Sequence, residues 1–273
     1  MSSRERLRGE LAAAVSGAGT ALRAADALCH ACVQLLDVDG AAISLVHEGA
    51  TRGTFGSSNA LSRRLDAYQF TFGEGPCLDA VQQGRPVLAD DLTAAAERRW
   101  PAFTASAVDA GVRAVFALPV VVATESIGAL DLFRHRSGPL PGETMSGGLQ
   151  AADLAALPLL DLIAQLGVRA EAGIVEGAEE DPWSELESLE RVEIYQATGF
   201  LIAQLGPTAT SPSEALVRLR ARAFSTGQTA AEVAQEVLEH RLRIDPDGSW
   251  HHDGDHPAHR NADGDEPGRG GDS

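Results

Sequence analysis

The residues with the clearest chemical reading are three arginines in alternate positions, Arg218, Arg220 and Arg222, within "SPSEALVRLRARAF". On a helix, Leu216, Leu219 and Ala223 define a buried stripe. Arg218 and Arg222 then stand four apart on the opposite side. Arg220 flanks the stripe, with its stem packed and its head reaching solvent. Guanidinium groups so placed attract phosphates through the local field, so this short surface is a candidate nucleic-acid contact. A solvated helix face is the competing reading. The thiols point elsewhere. Cys29 and Cys32 form a formal C-x-x-C, "CHAC", but fall on the apolar face of a helix, and no second cysteine pair completes a tetrahedral zinc site. Cys77 follows the turn "GEGP" at a helix N-terminus, a position that lowers a thiol pKa. No partner base is placed near it in sequence, so a packed small side chain is the favoured account. Asp90 and Asp91 are adjacent and cannot both face one cavity from a strand, which argues against a paired-carboxylate site. A P-loop, G-x-S-x-G and H-E-x-x-H are absent. The expectation is a protein that is not an enzyme, with no metal site and no resident cofactor.

These side chains need elements to hold them. Residues 1–19 read as a short helix or loose leader. Over 20–170, helix and strand signals alternate. Thr20 caps a helix with Leu22, Ala25, Leu28, Cys29, Cys32, Leu35 and Leu36 at helical spacing. "AAISLVHE" and "TRGTFGSS" read as a hairpin, and residues 59–69 as a helix. Pro76 suits the first position of the helix "PCLDAVQQG". "RPVLADD" is a short strand, "WPAFTASAVDAGV" a helix, and "RAVFALPVVV" and "SIGALDLFR" a second hairpin. From Gly147 to about Arg169, Leu154, Leu157, Leu160, Ile163 and Leu166 suggest a helical stripe. The sum is an α+β, or mixed α/β, sensor-like domain with a sheet flanked by helices. Phe70, Phe72, Trp100, Phe103 and Phe116, with Cys77, lie around its glycine-rich loops and are candidate ligand-pocket residues. Ordinary core packing is as good an account for each taken singly.

Residues 171–183 form an acidic, Gly-punctuated linker. In 184–244, Ser184–Glu187, Ser211–Glu214 and Thr229–Glu232 repeat the S/T-x-x-E capping-box spacing and call for three helices. The expected core is Ile194, Ala197, Leu201, Leu205, Leu216, Leu219, Ala223, Val233, Ala234 and Val237. Phe200 and Ala203 lie on another side of the first helix, and Leu186 and Leu189 extend that side upstream. A helix apolar on two faces needs two partners; a dimer through this helix or docking on the sensor domain would satisfy it, and these four are the candidate dimer contacts. Residues 245–273 are Asp-, Gly- and His-rich and read as a disordered acidic tail. It carries His251, His252, His256 and His259, half of the chain's 8 histidines, with nothing rigid to order them as ligands.

The 273 residues suffice for two modest domains. A net charge of −17, with all 22 basic residues arginine, argues against a globally basic nucleic-acid coat or a polybasic membrane binder, but not against a local basic face. Three cysteines are too few for a disulfide framework, and no apolar run approaches the ~18 residues of a membrane span. The expected compartment is the cytoplasm.

Two resemblances fit these segments. "RVEIYQATGFLIAQLG", "SEALVRLRARAF" and "TAAEVAQEVL" resemble the ANTAR domain, the RNA-binding module of transcription antiterminators. The likeness is carried by Gln196, Ala197, Gly199 and Leu201, by Ala215, Leu216, Leu219 and Arg220, and by Val233 and Ala234. The family commonly has Lys where this chain has Thr198. Upstream, "GEGPCLDAVQQGRPVLADDL", "RWPAF", "AGVRAVFALPV" and "IGALDLF" resemble a GAF domain over roughly 22–166, of the kind fused to ANTAR modules in actinobacteria. Together the resemblances imply a signal-responsive regulator that binds hairpins in nascent RNA as a homodimer and suppresses terminator formation. Arg191, Gln196, Arg218, Arg220 and Arg222 are the candidate RNA-contacting residues. The GAF ligand, an unidentified small molecule if there is one, does not carry over. Two other readings stay open. One is a DNA-binding regulator, since "STGQ" joins the last two helices as in a helix-turn-helix, although Glu232, Glu236 and Glu239 would repel phosphate there. The other is a dimeric sensor or interaction module that binds no nucleic acid.

Overall fold

The computed structural model describes residues 2–47, 49–171, 191–206 and 211–252. Its first unit centres on a five-stranded antiparallel sheet of order β2-β1-β5-β4-β3. The strands are β1 (Gly40–His47), β2 (Ala50–Ser57), β3 (Val87–Ala89), β4 (Ala114–Val122) and β5 (Glu125–Arg134). Along β4, Ala114, Phe116, Leu118 and Val120 face one way, and Val115 and Ala117 the other, as strand pleating requires. Both faces are covered, so β4 and β5 read as nearly unbroken apolar runs.

One face packs against α1 (Ser3–Ser16), α2 (Ala21–Leu35) and α6 (Gly142–Glu171). The other packs against α3 (Ala60–Phe72), α4 (Pro76–Gln83) and α5 (Pro101–Asp109). Of the two readings of the first residues, the structure has the helix: Ser2 and Glu5 form a reciprocal capping box, and Leu11 is fully buried in the sheet–helix core. One expectation changes. In α6 the buried stripe is Ala151, Ala152, Leu154, Ala155, Leu159 and Leu162, while Leu157 and Leu160 are 56% and 45% exposed. A helix this rich in leucine and alanine presents more than one apolar stripe, and periodicity alone does not choose between them.

The second unit has α7 (Val192–Leu205), α8 (Pro212–Thr226) and α9 (Ala230–Leu238), followed by a hairpin of β6 (Leu242–Ile244) and β7 (Trp250–His252). Nine of the ten expected core residues are buried, and Leu216 is half-buried at the edge. Thr229 and Glu232 form a complete capping box. Ser211 accepts from the Glu214 N–H at 3.2 Å, but the Glu214 carboxylate turns to Arg218 Nη2 at 2.9 Å. The Ser184–Glu187 signal lies outside the described residues, and α7 begins at Val192 after Arg191. The hairpin corrects the boundary placed at 245. Leu242 and Ile244 are buried and Trp250 packs against the same core, so ordered chain continues to His252. The expectation of disorder missed this because three residues of strand signal sit among Asp, Gly and His.

Candidate functional site

The candidate site is built around α3, one side of which faces the sheet and the other the three-helix unit. On the sheet side it carries Asp66 and Gln69, both buried. Asp66 accepts hydrogen bonds from the hydroxyls of Ser44 on β1 and Thr54 on β2. Gln69 Nε2 donates to Asp131 Oδ2 on β5 at 2.6 Å, and Gln69 Oε1 accepts the Cys77 N–H at 2.9 Å. The turn "GEGP" makes that last bond possible. Gly75 has φ +149°, and a Cβ there would stand 2.3 Å from Gln69 Oε1, so only glycine brings the turn this close. Glu74 in the same turn accepts the N–H groups of Ala102 and Phe103 at 2.7 and 3.0 Å, capping α5. Burial, with a smaller push from Asp66, raises the Asp131 carboxyl to about 8, against the pull of the Gln69 bond. Burial also pushes the Cys77 thiol well up, as do the nearby Asp131 and Asp66. Cys77 is therefore the packed residue, not the lowered-pKa thiol its helix position suggests. Cys29 and Cys32 are buried and free, and burial raises both, Cys32 to about 12.

On its other side, α3 carries Arg64, Phe70 and Thr71 into the second unit. Arg64 Nη2 pairs with Glu232 Oε1 at 3.1 Å. The Ala230 N–H, at the start of α9, donates to Thr71 Oγ1 at 2.9 Å. Phe72 meets Phe224 of α8 edge-on, with ring centroids 5.8 Å apart. Phe70 is buried in the core of the three-helix unit. Two guanidinium carbons lie over its ring, that of Arg191 at 3.4 Å from the centroid and that of Arg220 at 4.1 Å. Arg191 also approaches the Asp66 carboxylate, at 4.0 Å. Beside this seam opens a cleft of about 1220 Å³, lined by Leu22, Arg63, Tyr68 and Phe70 from the first unit and by Arg191, Glu193 and Glu232 from the second.

The residues singled out from sequence therefore separate into groups. Cys77, Trp100 and Phe103 share the core between the sheet and α3–α5. Phe72 packs at its edge. Phe116 is on the opposite face, against α2 and α6. Phe70 belongs to the seam. The six do not line one pocket, because strand alternation and helix rotation send neighbours in sequence to different layers. A smaller cleft of about 650 Å³ includes Trp100, whose Nε1 donates to Asp79 at 3.2 Å, with the Arg99 guanidinium over its ring.

The arginines do not form one open face. Arg191 is 6% exposed and Arg220 half-buried, and both lie on Phe70. Arg218 pairs with Glu214, and Arg222 stands 3.2 Å from His252 Nε2, near the Trp250 ring. Gln196 is exposed on α7. Thr198, where the ANTAR resemblance shows Lys, is buried, its hydroxyl donating to the Tyr195 carbonyl at 2.7 Å. Of the dimer candidates, Phe200 is 42% exposed and Ala203 is exposed, while Leu186 and Leu189 lie outside the described residues. Sequence reasoning missed Arg64, Asp66, Gln69, Thr71 and Asp131. A signal existed for two of them: Asp66 and Gln69 are polar residues three apart on the core-facing side of an otherwise amphipathic helix. Among the described residues, no cluster of His, Cys, Asp and Glu could hold a metal, and no helix is long and apolar enough to cross a membrane.

Residues 22–157 match the family model of the GAF domain, and this stretch of the chain is a GAF domain, a sensor or interaction fold. Solved structures are similar to it at low identity. A GAF domain from an Acinetobacter phosphoenolpyruvate-protein phosphotransferase is 12% identical, with TM-score 0.47, over 60% of this chain and 97% of its own. The GAF domain of the corresponding Coxiella burnetii protein is 15% identical, with TM-score 0.47, over 59% and 95%. Free methionine-R-sulfoxide reductase from Neisseria meningitidis, solved with its substrate, is 14% identical, with TM-score 0.44, over 57% and 88%. No curated protein matches the chain.

Proposed function

We propose that this protein is a signal-responsive transcription regulator in which the GAF domain senses a small molecule and the three-helix unit is an ANTAR module that binds RNA hairpins as a homodimer and promotes antitermination. The observation that carries the reading is the second unit itself. Its helices pack on the residues through which the ANTAR resemblance runs, including Ala197, Leu201, Ala215, Leu219, Val233 and Ala234, and its middle helix carries the arginine row. The global charge is no obstacle. Residues 191–252 hold six arginines and seven carboxylates, so most of the excess negative charge lies in other segments. Phosphate binding responds to such local fields.

Replacing both Arg218 and Arg222 by Glu tests this reading. Neither reaches the GAF domain, so helicity should hold while gel-shift affinity for stem-loop RNA falls beyond detection. An unchanged affinity in a folded double variant would remove this surface from the mechanism. A second reading, an interaction module that binds no nucleic acid, draws support from the two arginines already occupied by Phe70. It is the correct one if the wild-type protein retains no stem-loop RNA at low ionic strength. Double-stranded DNA in the same assay addresses the helix-turn-helix alternative, in which the short α9 would present its glutamates to the groove.

A further inference from the structure

We propose that Arg191 and Arg220 together form a stacking site for an unpaired nucleobase, and that Phe70 of the GAF domain occupies that site in this structure. The inference rests on the RNA-binding reading and adds the kind of group the site takes and what competes for it. A guanidinium plane packs well on a flat aromatic face, and unpaired bases in RNA loops are commonly held by such stacking. Here two guanidinium carbons lie within 3.4 and 4.1 Å of one ring centroid. The ring belongs to the other structural unit and is buried among the module's own core residues. Phenylalanine offers the π face of a base with no hydrogen-bonding edge, which suits a stand-in that must leave when a base arrives.

Around the stack the seat is made of two polar contacts and one aromatic pair, Phe72 meeting Phe224 edge-on. Arg64 pairs with Glu232, and Thr71 accepts from the Ala230 N–H. A seat with this few contacts besides the ring itself is compatible with exchange. Occupation by Phe70 reduces the population competent for RNA, and apparent affinity falls by that fraction. The GAF helix α3 and an RNA loop then exclude one another at Arg191 and Arg220.

The test uses the full-length protein and a pool of stem-loop RNAs with randomised loops, some carrying 2-aminopurine in the loop. Phe70→Ala empties the site. Arg64→Glu loosens the seat without touching either stacking arginine, and serves if the first variant folds poorly. Both should raise stem-loop affinity, on the order of tenfold for a site about nine-tenths occupied, and deepen quenching of the loop 2-aminopurine. Adding Arg220→Ala to either variant should abolish the quenching. If the wild type binds RNA but Phe70→Ala and Arg64→Glu bind no more tightly, the stacking site is overturned and the RNA-binding reading stands. If neither wild type nor variants retain RNA, both fail.

Discussion

Asp131 is a carboxyl group held where its charged form is expensive. It lies on the central strand β5, one oxygen accepting from Gln69 and the other without a hydrogen-bond partner. Burial raises it from 3.8 to about 8. Between those values the folded chain keeps a proton that the unfolded chain releases, so stability falls as pH rises through this window. Asn at this position keeps the acceptor for Gln69 and removes the titration. Urea midpoints measured from pH 4 to 9 should show a shallower decline for Asp131→Asn than for the wild type. Parallel curves would mean that another group carries the slope. The same residue marks a limit of sequence reading. Asp131 sits in "GALDLF", an apolar strand whose one acidic member looks like a surface residue. Its partner Gln69 lies 62 positions away, and only the fold brings the two together.

At the scale of elements, local signals were most legible where they specify a helix end. Thr229 and Glu232 form the reciprocal cap their spacing requires. Thr229→Ala should cost about 1 kcal/mol in chemical denaturation, a loss that α9, nine residues long, can ill absorb. Glycine turns were legible as turns, but not for what they approach. Gly75→Ala meets both a positive φ and the Gln69 side chain. It should destabilise the GAF domain by more than the cap mutation, with a lowered melting temperature as readout; a shift of less than a degree would show that the turn has room to move. The strands β1, β4 and β5 were readable from their apolar runs. The buried side of α6 was not, because leucines and alanines surround that helix and the choice is made by what the sheet presents.

For the molecule as a whole, the core of the three-helix unit was legible in the sequence, and docking between the units was one of two readings of α7, but nothing pointed to α3 as the seam. Seams of this kind use surface residue types, Arg, Glu, Thr and Phe, whose pairing has no periodic signature. The exposed side of α7 bears on assembly. Phe200 touches His240 edge-on with centroids 5.6 Å apart and is 42% exposed. Phe200→Glu should convert the proposed dimer to monomer in sedimentation, while an identical mass for both proteins would place the dimer contact elsewhere. One helix, finally, is shared between two tasks. The residues of α3 that brace the interior of the GAF domain, Asp66 and Gln69, lie within about two turns of those that grip the second unit, Arg64, Phe70 and Thr71. A rigid rod cannot move one set without the other. A displacement of α3 at Gln69 would therefore drag Phe70 with it, and would reach the arginines of the second unit with no relay in between.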